Sequence, residues 1–309
     1  MPGVRFGLQL WPQSTSWSEV REAAVAAEAA GWDSIWTWDH LLAIQGPWQQ
    51  PIYEGWTILA GVASITSRVR VGLMVGANTF RNPGLTTKLA TTLDHVSNGR
   101  AVLGIGADWF DREHEAFGID FGKTPGERID WLGEAVPLMR RLLDGETVTH
   151  EGRFYRFTDA LCEPRPIQPH LPILIGGSGP KKTLPIVARH GDAWNTNGEL
   201  EDVNVSLDLL AGHCADAGRD LAQLELTVSF PTIIRDRAGD AEAARARQLA
   251  HNGLESLGGV PLLTGAPEAI AEKLRPYLAL GFSTVIVRMP APFDRETIDR
   301  LPEVLALLG

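Results

Sequence analysis

With 309 residues, the chain can form one large domain or two small ones, and an apolar content of 44% supplies a sizeable core. A net charge of −10 disfavours nucleic acid as a partner, because phosphate backbones are gripped by clustered Lys and Arg. Cys162 and Cys214 match no metal-ligand spacing and suggest no disulfide framework, no stretch is apolar enough to span a bilayer, and the first residues carry no secretory signal; a cytoplasmic protein without membrane attachment is expected.

Short apolar runs alternate with longer amphipathic segments. VRFGLQL predicts a first strand, and Ser18 to Ala30 a helix with Ser18 as N-cap and Gly31 as its stop. SIWTW is a second strand, followed by a helix through GWTILAGVASI. VRVGLMV is a third, and GLTTKLATTLDHVS a helix ending at the turn Asn98-Gly99. AVLGIG is a fourth, with a long helix from Glu127 to Leu143 behind it. The rhythm then breaks: VTHEGRFYRF alternates and turns at Glu151-Gly152, which predicts a small hairpin inserted before strand five.

PILIGG and DAWN give strands five and six, with a helix after each, the second through SLDLLAGHCADAG. LELTVSF precedes a helix over AEAARARQLAHNGLESL, APEAIAEKLRPYLALG makes another, and STVIVRM is the last strand before a closing helix. Eight strands, each followed by a helix, predict a closed (β/α)8 barrel in one domain, residues 1–309, with a doubly wound open sheet as the competing architecture. In a barrel, function belongs at the carboxyl ends of the strands.

Those ends carry the polar residues. Strand two ends TWDH, placing Asp39 and His40 at the mouth; His is the side chain most easily tuned to exchange a proton near neutral pH. Strand three ends LMVGANTFRNP, where Asn78 offers an amide to a flat heterocycle. Strand four ends GIGADWFDREH, with Asp108, Glu113 and His114 as titratable groups; a solvated turn or pairing with Arg112 is the alternative for the last two.

Strand five runs into ILIGGSGPKKT. Free amides of the GGSGP turn, a helix start behind them and the charge of Lys181 or Lys182 suit an anion, best a phosphate, which accepts from several amides at once. No Gly-Lys-Ser/Thr follows, so this is not a Walker loop, nor is it the first βα turn of a dinucleotide fold. A mononucleotide-like cofactor across the barrel mouth is expected.

Together, GWDSIWTWDH, VRVGLMVGANTFRNP, LATTLDHVSNGRAVLGIGADW, EHEAFGIDF, PILIGGSGPKKTLPIVARHGDAWN and TGAPEAIAEKL resemble the bacterial luciferase-like family, and most closely its branches that use the deazaflavin coenzyme F420. The resemblance covers nearly the whole chain. It implies a TIM barrel of the bacterial luciferase-like type, with the cofactor ring at the mouth and its phosphate held after strand five. Gly177, Ser178, Pro180 and Lys181 match the phosphate-contact positions, and Gly179 lies among them. Asp39, Ala77, Ile105 and Gly106 match positions against the cofactor, and a non-prolyl cis peptide expected to back the ring falls between Met74 and Val75.

His40 matches the catalytic histidine of the sugar-phosphate dehydrogenase branch, which the resemblance assigns to proton transfer while hydride passes to or from the deazaflavin. Where that branch has a glutamate as second acid-base residue, this chain has Ala107, which disfavours a sugar phosphate as substrate. The aromatics Trp11, Trp36, Trp38, Trp48 and Trp109 favour an apolar or planar one. The expectation is an F420-dependent oxidoreductase acting on a small molecule, without a metal; relatives are commonly dimers, so the resemblance admits a homodimer. An FMN-dependent monooxygenase is the alternative cofactor reading, and a cofactor-binding barrel without turnover the alternative outside catalysis.

Overall fold

The computed structural model describes residues 3–257 and 259–309. The branched and aromatic runs become strands β1 (Arg5–Leu10), β2 (Ser34–Thr37), β3 (Arg70–Leu73), β4 (Gly76–Ala77) and β5 (Ala101–Gly106). The hairpin strands β6 (Val148–Glu151) and β7 (Arg156–Ala160) follow, then β8 (Ile173–Gly176), β9 (Ala193–Thr196), β10 (Glu225–Ile234), β11 (Leu263–Gly265) and β12 (Thr284–Met289).

The main sheet pairs in parallel in the order β12, β1, β2, β3, β5, β8, β9, β10, and β10 pairs again with β12. This closure excludes the open sheet. β3 and β4 are two halves of the third barrel strand, separated by Met74 and Val75, whose peptide bond is cis as expected. β5 can approach the break only because residue 104 is glycine: a Cβ there would lie 1.8 Å from the Leu73 carbonyl oxygen.

Helices α1 (Trp17–Ala30), α2 (Gly55–Ile65), α3 (Pro83–Ser97), α4 (Asp111–Phe117) and α5 (Pro125–Leu143) cover the first half of the barrel. α6 (Thr183–His190), α7 (Leu200–Asp216), α8 (Ala238–Asn252), α9 (Pro267–Ala279) and α10 (Arg295–Leu308) cover the second. None of the described helices is long and apolar enough to cross a membrane.

Some elements and boundaries differ from the sequence reading. The N-cap of α1 is Ser16, not Ser18, because Ser16 and Glu19 form a reciprocal capping box. α8 stops at Asn252, since Gly253 takes a left-handed φ of 62° and ends the helix before LESL. The segment carrying Glu113 is a helix, α4, and β11 is an added strand alongside the end of β10. The predicted hairpin is present as the antiparallel pair β6–β7.

Alternation along the strands divides the interior. Val285, Val287 and Met289 of β12 pack in the shell between strands and helices. Ile286 points the other way and joins Trp36, Met74, Val102, Leu174 and Ala193 in an apolar plug inside the barrel. That plug is the floor on which the site stands.

Candidate active site

Above the plug, at the carboxyl ends of the strands, lies a cavity of about 480 Å3. This is the size of an ordinary small-molecule site. Of the residues expected at the site, Asp39, His40, Met74, Val75, Ala77, Gly106, Gly177, Ser178 and Gly179 line it.

His40 follows β2 and is 7% exposed. Its Nδ1 lies 2.6 Å from Oε1 of Glu113, on α4. The other carboxylate oxygen of Glu113 accepts from the amides of Leu41 and Leu42, at 2.6 and 3.2 Å. Glu113 is thus completely buried, tied at both oxygens, and fixes the imidazole from behind. A carboxylate can only accept at this contact, which makes Nδ1 the donor; Nε2, on a ring that lines the cavity, has no protein partner among the described residues. Neither alternative for Glu113 occurs: it is not on a solvated turn, and Arg112 instead covers the Trp48 ring at 5.0 Å. His114 is also turned inward, bonded to the Phe110 carbonyl and the Thr79 hydroxyl and stacked on Phe121.

Asp39 is buried and gripped by Arg81, whose two terminal nitrogens meet its oxygens at 2.6 and 3.0 Å. It also accepts from the Ala77 amide at 3.0 Å, and Arg81 reaches Glu54 at 2.7 Å. Burial pushes the Asp39 carboxyl above its ordinary range, against the pull of Arg81 and that amide. Asp39 therefore holds β4 in place beneath the cavity. Asp108 lines the cavity too, in a left-handed conformation, with its oxygens taken by the Trp109 and Phe110 amides and the Thr79 hydroxyl. Donor atoms of His40, Asp108 and Glu113 lie within 4.8 Å of one another, but hydrogen bonds to protein groups already occupy the carboxylates.

The loop after β8 is built differently from the sequence reading in one respect: GGSGP does not lead directly into a helix, because α6 begins only at Thr183. Gly177 sits at φ 109°, a conformation suited to glycine, and is held on both sides: its amide donates to the Asn195 carbonyl at 3.2 Å, and its carbonyl accepts from Trp194 Nε1 at 2.9 Å. Beyond it, the amides of Ser178, Gly179, Lys181, Lys182 and Thr183 find no acceptor among the described residues. Lys182 is bound to Asp130 at 2.6 Å and to the Gly126 carbonyl, so Lys181 is the lysine of the pair without an anionic partner. The donor set, a row of free amides with one lysine, fits a phosphate.

Pro180 and Lys181 are exposed and are not among the residues that line the cavity. Ile105 is in the shell between strands and helices. Asn78 is buried behind the cavity, donating to the Tyr155 hydroxyl at 3.0 Å, which joins the inserted hairpin to the loop after β4. Trp36 belongs to the plug, while Trp38 and Trp109 line the cavity.

Sequence reasoning missed Arg81 and Arg288. Arg288 interrupts the apolar run STVIVRM, and a charge near the end of an interior strand was the signal available.

The family model described as luciferase-like monooxygenase matches residues 4–284. An uncharacterized protein of Mycobacterium tuberculosis is 34% identical over 167 residues, covering 54% of this chain and only 58% of that protein. The F420-dependent glucose-6-phosphate dehydrogenase of Nakamurella multipartita is 31% identical, covering 100% of this chain and 98% of the relative. Among solved structures, the coenzyme F420-dependent tetrahydromethanopterin reductase of Methanopyrus kandleri superposes with a TM-score of 0.82 at 21% identity, over 99% of this chain and 100% of that one. This last likeness establishes the fold.

Proposed function

Since the chain belongs to the luciferase-like monooxygenase family, we propose that it is an F420-dependent oxidoreductase exchanging hydride between the deazaflavin and a small organic substrate. The observation that carries the reading is the pairing of two features on one cavity: a row of unpartnered amides after β8 and an imidazole held by a buried carboxylate. The full-length similarity to F420-dependent dehydrogenases supports the choice of cofactor.

When bound, the deazaflavin supplies a carbon centre for two-electron hydride exchange and not the oxygen chemistry of an ordinary flavin. The chain's part is binding, orientation and proton transfer. Amides of Ser178, Gly179, Lys181, Lys182 and Thr183, with the Lys181 ammonium, would hold the phosphate. Met74, Val75 and Ala77 would support the ring, with β4 fixed by Asp39 and Arg81. His40 would take or give a proton at Nε2, its tautomer and direction set by Glu113. Cavity-lining Ala77, Ala107, Trp38 and Trp109 leave a wall suited to an apolar or planar molecule.

The test is a screen of small alcohols, ketones and carboxylic acids with F420, read by loss or gain of the oxidised cofactor's visible absorbance. Turnover that requires F420 supports the reading; oxygen consumption with reduced FMN and none with F420 contradicts it. FMN-dependent monooxygenation is the second reading, favoured by the description of the matching family model and by amides that would serve either phosphate.

A further inference from the structure

One charge on the cavity wall has no role in the chemistry above. Arg288 is the penultimate residue of β12, in register with Gln9 of β1 and Pro231 of β10. Ile286, two residues earlier, is part of the apolar plug, so the strand's alternation lifts Arg288 from that same inner face into the cavity it lines.

Its guanidinium makes no ion pair and no hydrogen bond with any described residue. Of the other enclosed arginines, Arg128 lies over the Phe121 ring at 3.8 Å with one bond of 3.4 Å to the Phe121 carbonyl and does not line the cavity, and three are fully matched. Arg81 binds Asp39 and Glu54, Arg235 binds Asp294 and Glu296, and Arg100 donates to the carbonyls of Ala63, Thr66, Val69 and Ser97. A guanidinium keeps its charge at any physiological pH, and holding that charge half-buried on a cavity wall without a counterion is unfavourable. Burial accordingly lowers the Arg288 pKa from its ordinary value.

The cavity's own carboxylates do not relieve it. Asp39 is matched by Arg81, and Asp108 is occupied by backbone amides. Nearby polar groups are neutral: Gln9, whose Nε2 is committed to the Met74 carbonyl at 2.7 Å, and Ser229 and Asn195. The amide loop after β8 is a separate anion receptor, with β9 and β10 lying between β8 and β12 around the barrel. One cavity thus offers two places for negative charge, and the cofactor's phosphate needs only the first.

We propose that Arg288 is the substrate-docking residue of this site and that the substrate carries a carboxylate, received by the guanidinium fork above the plug while its remaining, planar or apolar part faces Trp38 and His40. This rests on the oxidoreductase reading for the meaning of "substrate", but not for the anion preference itself.

The experiment uses the full chain and two probes of one shape, benzoate and benzamide, titrated calorimetrically into wild type, Arg288→Met and Arg288→Lys, without and with F420. Wild type should bind benzoate at least about tenfold more tightly than benzamide, as expected for a charge-assisted pair. Arg288→Met should erase that preference and Arg288→Lys retain part of it, with thermal melts and F420 affinity near wild type for both. Absence of a benzoate preference in wild type, or its persistence in Arg288→Met, overturns the proposal. So does a loss of F420 affinity in Arg288→Met with the benzoate preference intact, which would assign the guanidinium to the cofactor. If no variant binds F420 yet the Arg288-dependent preference is present, the cofactor reading fails and the carboxylate site stands.

Discussion

Nδ1 of His40 lies 2.6 Å from Oε1 of Glu113, a carboxylate whose other oxygen is bound by two backbone amides. The residues come from different βα units, the loop after β2 and helix α4, and meet only because the barrel closes. The imidazole is therefore aimed by a buried group that never faces the cavity.

His40→Ala should leave F420 affinity within about twofold while lowering turnover by about 100-fold to 10,000-fold, the range for losing a general acid-base group. Glu113→Gln should lower turnover about tenfold to 100-fold and destabilise the fold by about 1–3 kcal/mol, since an amide cannot satisfy all three donors. Steady-state kinetics and urea unfolding measure both. Unchanged turnover in His40→Ala removes it from the mechanism.

Arg81→Met should cost about 3–5 kcal/mol in urea unfolding, because it leaves the buried Asp39 without its counterion. Asp39 has a folded-state pKa above its unfolded one, so its stabilising contribution is complete below about pH 3.9 and is lost as pH rises through the raised value. The stability of Asp39→Asn relative to wild type should consequently rise with pH across that window. A constant difference would contradict the assignment.

How the loop after β8 holds its anion can be decided by two variants. Gly177→Ala strains a backbone at φ 109° and should misalign the amides, weakening F420 binding about tenfold or more. Lys181→Ala should weaken it about threefold to tenfold at low ionic strength and much less at about 1 M salt, where exposed charges are screened. Fluorescence titration at two salt concentrations separates them. A salt-independent Lys181 effect larger than that of Gly177→Ala would make the lysine, not the backbone, the principal contact.

Tyr155 links the hairpin to the site through Asn78, and burial pushes its phenol up to about 12. Its folded-state contribution should be complete below the usual phenol value near pH 10 and be lost as pH rises from there through about 12. Tyr155→Phe should delete the corresponding ultraviolet titration step and cost about 1–3 kcal/mol, by leaving the buried Asn78 amide unpaired. If that step survives in the variant, the phenol has been misassigned.

The barrel was legible because parallel strands buried on both faces are written as continuous apolar runs, and turn glycines such as Gly31 and Gly99 mark the joints. Boundaries set by side-chain hydrogen bonds were less so: Ser16 and Ser18 are equally good caps by type, and only the Glu19 contact decides between them. At the site, Asp39, His40 and the glycine loop stand at strand ends, where position alone points inward. Glu113 and Arg81 act from outside the strands, and their direction depends on packing across the barrel that no local period encodes. Arg288 was readable in principle, since a charge two residues after Ile286 on an interior strand must emerge at the mouth.

The most direct measurement is a competitive titration of the purified chain with oxidised F420 and with FMN, followed by cofactor fluorescence in wild type and Gly177→Ala. The proposed function predicts saturable F420 binding, weakened by Gly177→Ala, that FMN displaces poorly. Tight FMN binding with no detectable F420 binding would contradict it.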